Sequence, residues 1–268
     1  MLLVLCDIDD LGALNVARRA RLRGVDVLVL TAQALSFAVR RSHRLDDRGS
    51  RTEITLADGR TVRDRDLTAV LNRLPGAPAD AWQRAAPSER HYAVAELHAF
   101  TLSWLSALTC PVRNRPAPDC LAGPVRHPVV GLAAALASGL SCPPGYLRAT
   151  SEADPASAIL LAAARAAGPS GRGVHVVAID GVIITPQVPD AVHVGVRRFA
   201  AAMAADRALL GVDFVVGDDG WWFAGAGPLA DLTSHPAVAD RVLDVLGCVP
   251  ATIPATVPAA AVPEGVAS

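Results

Sequence analysis

LLVLCDIDDLGALNVARRARLRGVDVLVL, residues 2–30, decides how this chain begins to fold. Leu2–Cys6 is a short apolar run of the kind that lies buried in a parallel sheet. Asp7 to Asp10 supply N-cap chemistry for a helix from Leu11 to Arg23, because a short carboxylate side chain accepts from the free backbone N–H groups of a first turn. Gly24 stops that helix, and Val25–Leu30 is a second strand. Strand, helix, strand is a βαβ opening, so the first half is expected to be α/β with a parallel sheet. The first turn carries no G-x-G-x-x-G, which argues against a Rossmann dinucleotide site. For the same residues a buried first strand is expected rather than a signal peptide, since they lack a basic start and meet acid at Asp7.

Outward from there the pattern changes twice. Residues 40–51 are arginine-rich and turn-like, and Ile54–Val62 is a hairpin about Asp58-Gly59. Ala69–Pro75 is a third parallel strand. A long helix runs from Ser88 to Leu108, with Val94, Leu97, Thr101, Trp104, Leu105 and Leu108 on one face. CPVRNRP, residues 110–116, is a brief strand followed by prolines. Helices over Val129–Leu140 and Ala153–Ala167 come next. Then the pattern turns antiparallel: a hairpin over Val174–Val188 about Asp180-Gly181, a helix over Val194–Leu210, a hairpin over Gly211–Ala226 and a last helix over Ala237–Leu246. Residues 248–268 carry almost no charge and are expected to be a disordered tail. The division that follows is 1–120, 121–247 and the tail.

Composition excludes more than it assigns. Hydrophobic residues make up 51% of the 268, so the chain can bury a core. A formal net charge of −1 implies no basic face for nucleic acid or anionic membrane. No run reaches the ~18 apolar residues of a membrane span. All 25 basic residues are arginine. Without lysine, Schiff-base catalysis, a Walker-type phosphate loop and a lysine general base are excluded. Five unevenly spaced cysteines with no C-x-x-C argue against a disulfide framework or structural zinc, and a cytoplasmic location is the expectation.

Two dipeptides stand out, because asparagine occurs only at 15, 72 and 114. Asn72-Arg73 and Asn114-Arg115 each follow an apolar strand at its carboxyl end, where open α/β sheets bind ligands. With Arg113 they are placed to clamp a carboxylate bidentately. Arg73 and Arg115 each precede a proline within two residues and are expected to emerge at the sheet edge. Arg90, His91, Glu96 and His98 lie on the long helix; their spacing does not build a metal site, but leaves a partner-binding face open. Asp218-Asp219-Gly220 reads as a hairpin turn. Trp221 and Trp222, consecutive on a strand, point to opposite faces. Spacing assembles neither a Ser-His-Asp nor a Cys-His nucleophile.

The order of these motifs resembles a family. VLNRLP, then SERHYAVAELHAFTLSWLSAL, then PVRNRP, then LAAALASGLSCPP, then GVDFVVGDDGWWFAGAGP is similar to the ATP-grasp ligases that crosslink ribosomal peptides, the graspetide or microviridin type. The resemblance covers residues 2–247. It implies a parallel-sheet pre-ATP-grasp-like N-terminal domain followed by a reduced α+β ATP-grasp-like C-terminal domain. It also implies lysines on the nucleotide phosphates and paired metal ligands late in the chain, and there this sequence departs. Arg126 or His127 falls where the first lysine belongs. Gly225 takes the place of the metal-binding Glu and Gly227 that of the Asn, while Asp213 keeps the upstream acid. The expectation is a degenerate ATP-grasp-like protein in peptide modification or specialised metabolism, with no metal and no nucleotide cofactor. Its expected ligand is a peptide or protein partner, or a small acidic molecule, held by Asn72, Arg73, Arg113, Asn114, Arg115, Arg126 and His127, and a homodimer is left open. The competing expectation is an enzyme, either an unusual ATP-dependent carboxylate–amine ligase or one of ATP-independent chemistry.

Overall fold

The computed structural model describes residues 1–47, 49–144, 154–185, 187–203 and 209–248. The opening folds as its pattern demands. β1 (Leu2–Cys6) is buried throughout, α1 (Leu11–Leu22) is capped by the Asp10 carboxylate accepting from Ala13 N at 2.9 Å, and β2 (Val27–Thr31) runs parallel to β1. With β6 (Ala69–Asn72) and β7 (Val112–Arg113) they form a four-stranded sheet in the order β2-β1-β6-β7, every pairing parallel.

Between β2 and β6 lies a difference from the sequence reading. After the short helix α2 (Ala32–Ser36), the arginine-rich segment is not a turn. It forms β3 (Arg40–Asp46) and pairs antiparallel with β4 (Gly49–Thr55), which also pairs with β5 (Thr61–Arg63). Alternation explains it: Arg40, Ser42 and Arg44 share the outer face, while His43, on the other, meets Thr52 Oγ1 at 2.8 Å and Ser103 Oγ at 2.9 Å.

α3 (Pro87–Ala107) crosses this face. Its second half buries Thr101, Trp104 and Leu105, and the Trp104 indole donates to Asp64 at 2.8 Å. Its first half buries only Ala93, so Val94, expected in the core, is 38% exposed.

The second half contains α4 (Pro128–Ala137), α5 (Pro155–Ala167), β8 (Arg172–Ile179), β9 (Val182–Ile183), α6 (Asp190–Ala202), β10 (Leu209–Gly217), β11 (Gly220–Gly227) and α7 (Pro236–Val245). Its sheet is antiparallel in the order β11-β10-β8-β9. Both hairpins turn where expected, the first through Asp180 and Gly181 at φ 52° and 72°. α6 ends at Ala202, short of the expected Leu210, because Leu209 already opens β10. Trp221 packs on the α6 side of the sheet against Phe214 at 5.5 Å, and Trp222 on the α5 side. The expected tail beyond Cys248 lies outside the described residues.

The two four-stranded sheets are separate, but one core joins them. Leu2, Val4 and Leu71 of the first sheet and Val177, Ile179 and Leu209 of the second meet around α1 and α7. Leu3 and Leu5, on the opposite face of β1, pack toward Trp104 and Leu105. β1 is therefore covered on both faces, which is why it is apolar throughout.

Candidate functional site

The carboxyl ends of the parallel strands face the second half of the chain rather than open solvent. That single fact redistributes the expected site residues. Asn72, fully buried, donates through Nδ2 to the Asn114 and Leu121 carbonyls, while its Oδ1 accepts from Leu74 N. Arg73 does not emerge at the sheet edge. It is buried, with Nε on Asp10 at 2.5 Å and NH1 donating to the Ala230 carbonyl at 3.0 Å. The Asp10 carboxylate thus caps α1 and holds Arg73 at once. Arg113 is paired with Asp180 and donates to the Val245 carbonyl at 3.1 Å. Asn114 donates to the Pro228 carbonyl at 2.9 Å from a left-handed backbone at φ 59°, a conformation asparagine tolerates better than most residues. Its Oδ1 is buried without a partner. These side chains are struts between the halves.

Beside the struts lies a cavity of about 700 Å³. Arg113, Asn114 and Arg115 line it from the end of the first half, Gly123 and Arg126 from the connection that precedes α4, and Asp180, Leu210, Gly227 and Pro228 from the second sheet and the residue after it. Asn72, Arg73 and His127 do not line it. His127 is exposed and caps α4, its Nδ1 accepting from Val129 N at 3.3 Å. Arg115 donates to the carbonyls of Ser106 and Leu108, closing the C-terminal end of α3. Asp180 offsets Arg113, so Arg115 and Arg126 leave the cavity wall net positive, suited to an anionic group. Sequence reasoning missed Asp180. Its only signal was the Asp-Gly turn, which says nothing about what the turn faces.

The late acid has a different setting. His175, Asp213 and Gly225 lie in one row across β8, β10 and β11. Asp231 N donates to His175 Nε2 at 2.9 Å, so the proton is on Nδ1, which donates to Asp213 at 2.7 Å. The imidazole ring lies over Gly211, where a Cβ would stand 2.5 Å from its Cε1. Opposite, a Cβ at Gly225 would stand 3.7 Å from Asp213 Oδ2, with room to spare. A carboxylate at 225 would face Asp213; glycine puts none there.

No family model matches the chain, and no curated protein sequence matches it. Solved structures do. Macrocyclase MdnC of Microcystis aeruginosa MRC, bound with precursor peptide MdnA, superposes with a TM-score of 0.68 at 11% identity, over 92% of this chain and 100% of that one. This chain has the ATP-grasp ligase fold. A ribosomal-peptide-associated ATP-grasp ligase of Chryseobacterium gregarium, in complex with ADP and a leader and core peptide, gives 0.62 at 9% identity over 91% and 94%. ATP-grasp ligase PsnB, complexed with its minimal precursor, gives 0.61 at 18% identity over 91% and 97%. The likeness therefore spans both sheets.

Nucleotide with magnesium is the group this fold implies, and the residues present do not fit it. There is no lysine to meet a phosphate. Asp213 is engaged by His175 and faces glycine, and among the described residues no three His, Cys, Asp or Glu side chains gather as a metal site. A magnesium ion that bridges phosphates needs carboxylate oxygens converging on it.

Proposed function

We propose that this chain is a non-ligating ATP-grasp protein that binds a peptide or protein partner in the cavity between its halves, in peptide modification or specialised metabolism in the cytoplasm. One observation carries the reading: the row His175–Asp213–Gly225 has a single carboxylate, already hydrogen-bonded to an imidazole. Phosphoryl transfer relies on positioned cations to balance developing charge, and this row offers no pair of acids to hold them. The cavity supports binding on its own. Its net-positive wall includes Arg126, which has no hydrogen-bond or ion-pair partner among the described residues, and its apolar wall includes Leu210 and Val112. The neighbours of this fold solved with precursor or core peptides make a peptide the leading occupant.

The test is thermal unfolding with saturating ATP and Mg²⁺. A ligand at 100 times its Kd adds about 2.7 kcal/mol. We expect no shift in Tm; a rise of several degrees overturns the non-ligating reading. In parallel, a displayed dodecapeptide library is selected on the immobilised chain. The peptides recovered should lose affinity when Arg115 or Arg126 becomes alanine. The ligase reading draws on the end-to-end match to ligases and on arginines at the cavity, and the same ATP titration decides it.

A further inference from the structure

A second groove lies away from that cavity, against the first turns of α3. Its volume is about 610 Å³, and Trp82, Tyr92, Glu89, Glu96 and Arg41 are among its walls. Three features set it apart. Its aromatics are exposed: Trp82 is 44% and Tyr92 68% accessible, in a chain with only four tryptophans and two tyrosines. Its carboxylates are two of the five glutamates, and among the described residues neither has a hydrogen-bond or ion-pair partner, whereas Glu53 is paired with Arg63 at 3.0 Å. Its one cation is spent elsewhere, since the Arg41 guanidinium donates to the carbonyls of Leu35, Ser36 and Ala38.

The underlying helix is also unusual. The first half of α3 buries only Ala93, so its helical form is not explained by packing against the body. The segment opposite is fixed, because Ala81 N donates to Ser36 Oγ at 2.7 Å. The groove thus has a firm wall and an unpartnered one. An exposed indole and phenol beside free carboxylates form a recognition surface for a cation with an apolar stem. A planar guanidinium suits it best, because it stacks on a ring face and donates two hydrogen bonds to a carboxylate.

We propose that this groove binds an arginine-bearing segment of a partner peptide or protein, through Glu89, Glu96, Trp82 and Tyr92. Glu89 and Glu96 are seven residues apart, about 10 Å along a helix. In a polyproline II segment, with three residues per turn and a rise of about 3.1 Å, side chains three residues apart share one face and stand about 9 Å apart. The favoured motif is therefore arginine, two residues, arginine. This site is independent of the inter-half cavity.

The experiment is an NMR titration of the full chain, following the Trp82 indole N–H, identified by its loss in Trp82→Phe. The probes are Ac-Arg-Ala-Ala-Arg-NH2 and Ac-Arg-Arg-Ala-Ala-NH2, which have the same charge and composition. The first should move the Trp82 signal saturably and bind about fivefold tighter than the second, the upper range for one exposed ion pair. Glu89→Gln and Glu96→Gln, both on the surface, should each remove that preference while the melting temperature stays put. Failure of the Trp82 signal to move, equal affinity for the two peptides, or unchanged affinity in the glutamine variants overturns the proposal. So does a wild-type dimer in sedimentation that Trp82→Ala makes monomeric, because the occupant would then be a second copy of this chain.

Discussion

Arg73 shows how much one side chain depends on what its strand end faces. Its charge is shared between the Asp10 carboxylate and the Ala230 carbonyl, out of water. Arg73→Ala leaves Asp10 uncompensated, and breaking a buried pair from one side costs about 3–5 kcal/mol. Denaturant unfolding should show that loss in ΔG, whereas Arg126→Ala, at an exposed position, should leave stability within about 0.5 kcal/mol of wild type. Two glycines on the second sheet make a sharper contrast. Gly211→Ala drives a Cβ into the His175 ring and to 3.0 Å from the Ala230 backbone, so about 1–3 kcal/mol of overpacking is expected. Gly225→Ala meets nothing closer than 3.7 Å and should be near neutral. Equal melting temperatures for these two variants would mean that His175 does not hold the place described.

Helix α1 is fastened to α7 by charge. Arg19 and Arg23 both reach Asp240, and Arg23 also meets Asp244 at 2.7 Å and the Cys248 carbonyl at 3.1 Å. The hydrogen bond from Arg19 holds the Asp240 carboxyl below its ordinary range, with Arg23 adding to it. A carboxyl whose folded pKa is depressed binds its proton more readily when unfolded. Its stabilisation is therefore complete above the unfolded value, about pH 4, and is lost as pH falls through the folded one. Tm should drop between pH 5 and pH 3 in the wild type and drop less in Asp240→Asn. At α5, Gly217 lies so near the Ala167 carbonyl that a Cβ would stand 2.0 Å from its oxygen. Gly217→Ala should push α5 off the sheet, at the top of the about 1–3 kcal/mol range for overpacking. Much at this scale was legible from residue pattern: α1, both hairpin turns and α7 come within a few residues of their expected bounds. β3 was not, because Arg40, Arg41 and Arg44 leave no apolar period to betray a strand whose outer face is wet. On the inner face His43 meets Thr52 of the paired strand, nine residues on, and Ser103, sixty residues on, a contact no local pattern shows.

At the scale of the whole molecule, one shared core joins the two four-stranded sheets, and this decides what sequence could say about the site. The carboxyl-end rule located Asn114 and Arg115 at the cavity, yet the same rule misjudged Asn72 and Arg73. A strand end becomes a strut or a site according to what the rest of the chain lays over it, and Ala230, 157 residues after Arg73, lies outside any local pattern. The continuity from Leu2 and Leu71 to Ile179 and Leu243 also predicts cooperativity. Calorimetry should give one transition with equal calorimetric and van't Hoff enthalpies. Two resolved transitions would show that the halves melt separately and that the shared core is weaker than its burial implies.

The shared core also governs how fast anything can arrive. Swinging the halves apart would expose Val177, Ile179, Ala230 and Leu232, all fully buried, so a hinge is closed to the incoming ligand. The proposed peptide would then have to enter with the halves together, past Arg115 and Arg126, which are exposed at the cavity wall. Association should accordingly be slow against the roughly 10⁵–10⁷ M⁻¹s⁻¹ of ordinary docking, and should slow further with peptide length. The radius of gyration, read by small-angle scattering, should be the same before and after loading.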